Sequence, residues 1–176
     1  MDALSVERAG VTAPGDFEEY YRRHVADVYR LCLSLLGNAE DAEDVTSTAF
    51  LRVMSAFDRV DRQRDGGRGY VFRTAQNLVR DYFRSPRRRI EVRLTSDRAA
   101  PDAAAAAVVA ADERGAVLRA LEQLSPRDRL LIGLRCGAGL DYAEVARVAG
   151  IRASTARVAV HRAIAKLREH VGDADD

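Results

Sequence analysis

Apolar residues recur at three- and four-residue intervals along most of the chain, and no long run alternates with a period of two, so the pattern predicts helices throughout. Phe17, Tyr21, Val25, Val28, Leu31, Cys32 and Leu35 form a first stripe, opened by a box-like cap of Asp16 and Glu19 and closed by Gly37. A second helix is expected from Asn38–Asp41 to about Phe57, burying Ala42, Val45, Ala49, Val53 and Phe57. Its first turns carry Glu40, Asp41, Glu43 and Asp44, where the helix dipole favours negative charge. The polar, glycine-punctuated stretch Asp58–Gly69 predicts a loop. A third helix, Tyr70 to about Arg84, turns Val71, Ala75, Leu78, Val79 and Tyr82 inward and Arg73, Asn77, Arg80, Asp81 and Arg84 outward. Pro86 stops it, because proline disfavours helix at the residue before it.

Periodicity then fades. From Ser85 to Ala111 arginine, alanine and aspartate dominate, which predicts a flexible linker. A flexible chain of that length has an r.m.s. reach of about 30 Å and an extended ceiling near ~90 Å. The pattern resumes with a helix from about Asp112 to Leu124, expected to bury Val117, Leu118 and Leu121. Ser125 and Pro126 are a cap and first-turn proline for the next helix, which runs to about Cys136 and closes at Gly137-Ala138-Gly139. Asp141 and Glu144 repeat the box-like cap for a short helix to Ala149, and Gly150 turns the chain into a long basic helix. The reading is all-α: two small helical domains, 16–86 and 112–171, joined by a linker at 87–111, with tails at 1–15 and 172–176 and a helix-turn-helix in the second domain.

Charge sharpens this picture. The formal total is +1, but Met1–Asp58 holds five basic against eleven acidic residues, and Arg59–Arg98 holds twelve arginines against five acids. A neutral sum thus hides an acidic head and a basic middle. Cys32 and Cys136 lie far apart on apolar faces and read as buried, reduced thiols. His24, His161 and His170 are scattered, and no paired catalytic carboxylates, phosphate loop or ligand spacing is present, so no enzymatic role, metal or cofactor is expected. The acidic start lacks the signature of a signal peptide, and the longest apolar stretch, Ala103–Ala111, is too short to span a bilayer. A soluble, cytoplasmic protein without membrane insertion is expected.

The stretch AEVARVAGIRASTARVAVHRAIAKLR, Ala143–Arg168, has no acid after Glu144 and places small Ala146 and Gly150 where two helices must approach closely. An ordinary helical hairpin has the same spacing, but an ordinary surface helix mixes its signs. An acid-free second helix suits phosphates and base edges in a major groove.

With its flanks, ALEQLSPRDRLLIGLRCGAGLDYAEVARVAGIRASTARVAVHRAIAKLRE resembles the −35-reading region of bacterial sigma factors, specifically the two-domain extracytoplasmic-function (ECF) group. FEEYYRRHVADVYRLCLSLLGNAEDAEDVTSTAFLRVMSAF resembles that group's core-polymerase-binding helices, and GYVFRTAQNLVRDYFRSPRRR its −10 region. The resemblance runs from about Phe17 to Val171 and implies a specificity subunit that docks on the clamp coiled coil of the largest subunit of core RNA polymerase. It implies −35 contacts from Arg152, Ser154, Thr155, Arg157, His161, Arg162 and Lys166. For the −10 element it implies Tyr70, Arg73, Asn77, Arg80, Asp81 and Arg84. An unstacked base needs aromatic faces beside positive charge, which the Arg59–Gly69 loop with Tyr70 and Phe72 behind it supplies, although core packing is the favoured role for Phe72. For polymerase docking it implies Asp41, Asp44, Phe50 and Arg52. Promoter DNA and an anti-sigma factor are the other implied partners. The chain departs from the group at Tyr70, often tryptophan, and at Thr155–Ala159, where a T-V-K-S-R run is common, so that the group's arginine is Ala159 here. It also departs at a polar pair in the core-binding helix, which reads Ser47 and Thr48. A conventional helix-turn-helix regulator that binds an operator without polymerase is the alternative.

Overall fold

The computed structural model describes residues 14–60, 65–84 and 115–172. Residues 1–13 and 173–176 of the predicted tails 1–15 and 172–176, part of the loop at 61–64 and the linker lie outside the described residues, as does the expected start of the fourth helix at Asp112. Pro14, Gly15 and Gly172, by contrast, belong to helices. Among the described residues the regular structure is helical. Helices α1 (Pro14–Leu36), α2 (Ala39–Ser55) and α3 (Arg68–Arg84) form the first half, with 3-10 turns at Phe57–Arg59 and Asp65–Gly67 between α2 and α3. The second half contains α4 (115–123), α5 (Pro126–Ile132) with a π-helical turn at Gly133–Gly137, α6 (Tyr142–Ala149) and α7 (Ala153–Gly172).

Local chemistry explains the element ends. Gly37 takes φ 80° and its N–H donates to the Leu33 carbonyl at 2.9 Å, so α1 stops where a side chain would be strained. The Asn38 side chain caps α2 by accepting from the Asp41 amide at 2.8 Å. Ser125 caps α5 through the Asp128 amide at 3.1 Å, with Pro126 in the first turn. The first helix begins at Pro14, so Asp16 lies inside its first turn instead of capping it.

The packed stripe of α1 also differs from the expected one. Tyr20 and His24 are buried with Val28, Leu31 and Leu35, whereas Tyr21 is 41% exposed. An aromatic cluster fixes this register: the Tyr20 ring packs against Phe57 at 5.3 Å and His24 at 4.7 Å, and its hydroxyl donates to the Gly67 carbonyl at 2.9 Å. In α2 the expected Ala42, Val45, Ala49 and Val53 are buried, joined by Phe50. Val117 is exposed; Ala120, Leu121 and Leu124 make the packed face of α4, and Val117 shares that face one turn too early.

Cys32 is buried as expected, but Cys136 is exposed. Cys136 lies in the π turn, closed by the Ala138 amide on the Gly133 carbonyl at 2.8 Å, in which Leu134 enters the core and the Cys136 side chain faces outward. Burial pushes the Cys32 thiol up to about 11, which keeps it protonated. Iodoacetamide at neutral pH is therefore expected to alkylate Cys136 and to spare Cys32 until denaturant is added. Equal labelling rates, resolved by peptide mass spectrometry, would contradict this placement.

The two halves share one hydrophobic core, an arrangement the periodicity does not predict. Among the described residues four arginines span them, each donating to a carbonyl at or near a helix end, where backbone acceptors lack helical partners. Arg30 reaches the Gly137 carbonyl at 2.8 Å, and Arg129 the Leu35 carbonyl at 3.2 Å. Arg68 reaches the Ala138 carbonyl at 2.5 Å, and Arg73 the Arg147 carbonyl at 3.2 Å. Arg68 also bonds Asp27 at 3.0 Å, lies 3.6 Å from Glu144 and covers the Phe72 ring at 5.4 Å.

Candidate nucleic-acid interface and docking groove

The helix-turn-helix is built by reciprocal capping and one left-handed residue. The Glu144 amide donates to Asp141 at 2.7 Å, and the Asp141 amide donates to Glu144 at 2.8 Å. Gly150, at φ 68°, ends α6, and the Ile151 amide returns to the Ala146 carbonyl at 3.0 Å. Ala156, Val160 and Ala163 of α7 then pack inward.

The opposite face of α7 exposes Ser154, Arg157, Val158, His161 and Arg162, with Arg152 and Thr155 exposed at its start. The Thr155 hydroxyl donates to the Arg152 carbonyl at 2.9 Å. His161 lies beside Tyr142, the rings 6.4 Å apart. Lys166 stands apart from this set because its ammonium bonds Asp128 at 2.7 Å. Burial acts to raise the Asp128 pKa, but the hydrogen bonds from Lys166 and Ser125 and the charges of Lys166 and Arg127 outweigh it, holding the carboxyl below its ordinary value. At neutral pH Lys166 is thus an ion-pair partner of α5.

A second polar face lies on α3. Arg73, Asn77, Arg80, Asp81 and Arg84 are exposed, while Val71, Phe72, Ala75, Leu78 and Val79 are buried behind them. Tyr70 is 44% exposed at the head of this face. Phe72 is fully buried, so Tyr70 is the aromatic surface here and Phe72 is core. Arg73 is both exposed and tied to the Arg147 carbonyl.

The acidic start of α2 divides into structural and outward residues. Asp41 is buried, bonded by Asn38 at 2.6 Å and by the Tyr82 hydroxyl at 2.5 Å, and so joins the start of α2 to the end of α3. Asp44 and Arg52 are exposed. Phe50 is 3% exposed, its ring packed edge-on against Tyr21 at 4.8 Å.

Around Phe50 runs a shallow groove of about 260 Å³, lined by Phe17, Tyr21, Ser47, Phe50, Leu51 and Met54. Leu51 and Met54 are 59% and 51% exposed. Phe50 is expected from the sequence to serve docking, whereas Leu51 and Met54, which line the same groove, are passed over there. The signal was available: two large apolar residues three apart, off the buried 42/45/49/53 stripe, where a surface helix carries polar residues.

Among the described residues no cluster of histidine, cysteine, aspartate and glutamate suits a metal ion, and no helix is long and apolar enough to cross a membrane.

Comparison with known proteins finds matches for both halves of the chain. Residues 20–89 match the Sigma-70 region 2 family model and residues 114–167 the Sigma-70, region 4 model. The chain is 33% identical to the ECF RNA polymerase sigma factor SigE of Mycolicibacterium smegmatis, over 88% of this chain and 61% of that protein. It is 31% identical to the ECF RNA polymerase sigma factor BldN of Streptomyces coelicolor, over 96% of this chain and 65% of that protein. With the ECF RNA polymerase sigma factor SigL of Mycobacterium tuberculosis it shares 32% identity over 84% of each chain. The chain thus spans under two thirds of the length of the first two relatives and most of the third. In fold it is similar to CnrH in complex with the cytosolic domain of CnrY, with a TM-score of 0.70, 24% identity and coverage of 96% of this chain and 95% of that one. It is also similar in fold to the sigma factor RpoE in complex with the anti-sigma factor NepR from Bartonella quintana, with a TM-score of 0.69, 19% identity and coverage of 89% and 97%.

Proposed function

Because the chain belongs to the extracytoplasmic-function group of the sigma-70 family, we propose that it is a dissociable specificity subunit that binds core RNA polymerase and directs initiation at promoters carrying its −35 and −10 elements. It acts in the cytoplasm, and the chemistry of transcription stays with the polymerase. The observation that carries this reading is the presence, on one chain, of two separate outward faces suited to nucleic acid: the acid-free stripe of α7 and the Arg/Asn face of α3. A regulator that binds an operator alone accounts for the first face and leaves the second without a role.

The roles follow from side-chain chemistry. Arg157 and Arg162 are exposed on α7 and can hold phosphates or present paired donors to guanine, with Arg152, Ser154, Thr155 and His161 beside them. On α3, Asn77 offers a paired donor and acceptor to a base edge, Arg80 and Arg84 offer charge to the backbone, and exposed Tyr70 offers a stacking surface for an unpaired base. The groove of Tyr21, Leu51 and Met54 is suited to an apolar helical segment of the polymerase, with Asp44 and Arg52 exposed on the same helix. CnrH and RpoE, the two proteins similar in fold, are each in complex with a protein partner, in the second case an anti-sigma factor, which supports a protein antagonist here as well.

Run-off transcription with core polymerase on genomic fragments tests the proposal, the expected result being start sites that appear only when this chain is added. Arg157→Ala and Arg162→Ala should each lower use of such a promoter by about tenfold or more, while affinity for core polymerase stays unchanged. Tight operator binding by the free chain, with no redirection of polymerase, would establish the other reading.

A further inference from the structure

One outward residue of α7 does not fit a phosphate-binding role. Val158 is 50% exposed in the first half of the helix. At ~100° per residue it stands about 140–160° around the helix from each of the buried Ala156, Val160 and Ala163, close to the direction pointing straight away from the core. Valine loses rotamer freedom in a helix, and here half of its surface stays exposed. Its neighbours are exposed Arg157 beside it, Ser154 one turn before, and His161 and Arg162 one turn after. No acidic residue occurs on α7 before Glu169.

An isolated apolar group flanked by two arginines has a specific counterpart. When the second helix of a helix-turn-helix enters the major groove, its N-terminal residues meet base edges while flanking arginines hold the strands. The thymine C5 methyl is the apolar group that the four base pairs present there. Resting on the proposed promoter-reading function, we propose that Val158 packs against a thymine methyl and makes α7 select thymine at one position of the upstream element. The arginines supply affinity, and Val158 supplies a preference that charge cannot, because its contact is with a methyl group and not with a donor, an acceptor or a phosphate.

The test uses the full chain with core polymerase on a promoter mapped by run-off transcription. Each thymine of the upstream element is replaced in turn by deoxyuridine, which keeps the pairing and removes only the methyl. At one position the substitution should weaken promoter binding about fourfold, the value of one buried carbon group, and Val158→Ala should make the thymine and uracil templates equivalent there. Arg157→Ala should weaken both templates alike. If Arg157→Ala impairs promoter use while wild type and Val158→Ala respond identically to every uracil substitution, or if the element lacks thymine, Val158 is not a base reader and the proposed function stands. If the chain does not redirect polymerase at all, both ideas fail.

Discussion

Gly133→Val is expected to part the two halves of the molecule while leaving each half helical. Gly133 has ordinary helical angles, φ −57° and ψ −43°, so its backbone tolerates a side chain. The obstacle is α1: a Cβ at this position would stand 2.9 Å from Leu31 Cδ1 and collide with Ser34 Oγ. Both neighbours sit on a packed helix, and overfilling such a contact costs about 1–3 kcal/mol. The Arg30, Arg68 and Arg129 bonds across the same seam end on backbone carbonyls and need close approach to survive. In small-angle scattering, a compact chain of this length has a radius of gyration of about 16 Å. The variant should exceed the wild type by several ångströms with its far-ultraviolet circular dichroism preserved. An unchanged scattering profile would show that the seam yields to a side chain.

Opening also bears on function. Elements named −35 and −10 lie about 25 base pairs apart, roughly 85 Å of duplex at ~3.4 Å per pair. In the closed molecule Arg73 of α3 touches the end of α6, against which α7 packs, so the two faces proposed to read them lie within roughly two helix diameters, ~20–24 Å. The described arrangement cannot engage both elements at once. Gly133→Val should therefore leave affinity for core polymerase unchanged, because Leu51 and Met54 are exposed in the closed molecule already, and its effect should appear in promoter engagement.

Features encoded within a few residues were legible in the sequence. Ser125–Pro126, the Asp141/Glu144 box and Gly150 each mark an element end through local hydrogen bonds or a local backbone angle. The inward face of α3 follows from its period alone. What failed depends on distant partners. Tyr20 displaces Tyr21 from the core because Phe57 and Gly67 meet it from 37 and 47 residues away. Asp41 reads as one of four equivalent surface acids until the Tyr82 hydroxyl arrives from α3. Arg68 and Arg73 read as two more charges of the basic middle, yet each donates to a carbonyl of the other half. The basic middle therefore overstates the charge free at the surface, and under the proposed function Arg80 and Arg84 carry more of the DNA contact than the raw count suggests.

Leu51→Asp combined with Met54→Asp is expected to abolish polymerase association and leave the fold intact. Both side chains are more than half exposed, so their replacement removes little internal packing, and surface changes of this kind stay within about 0.5 kcal/mol of wild-type stability. A partner helix seated in the groove would bury both side chains over the Phe50 and Tyr21 rings. Losing anchors of that kind costs about 2 kcal/mol or more, and placing carboxylates in an apolar contact adds a desolvation penalty. Affinity for core polymerase, read by fluorescence anisotropy of the labelled chain, should fall by at least about 100-fold, with the thermal midpoint nearly unchanged. Asp41→Asn supplies the contrast. Its carboxylate bonds Asn38 and Tyr82 inside the protein, so any loss of polymerase binding should come with a lowered midpoint. If the double aspartate variant binds like wild type while melting normally, the groove is not the docking site, and the exposed Asp44 and Arg52 become the residues to test next.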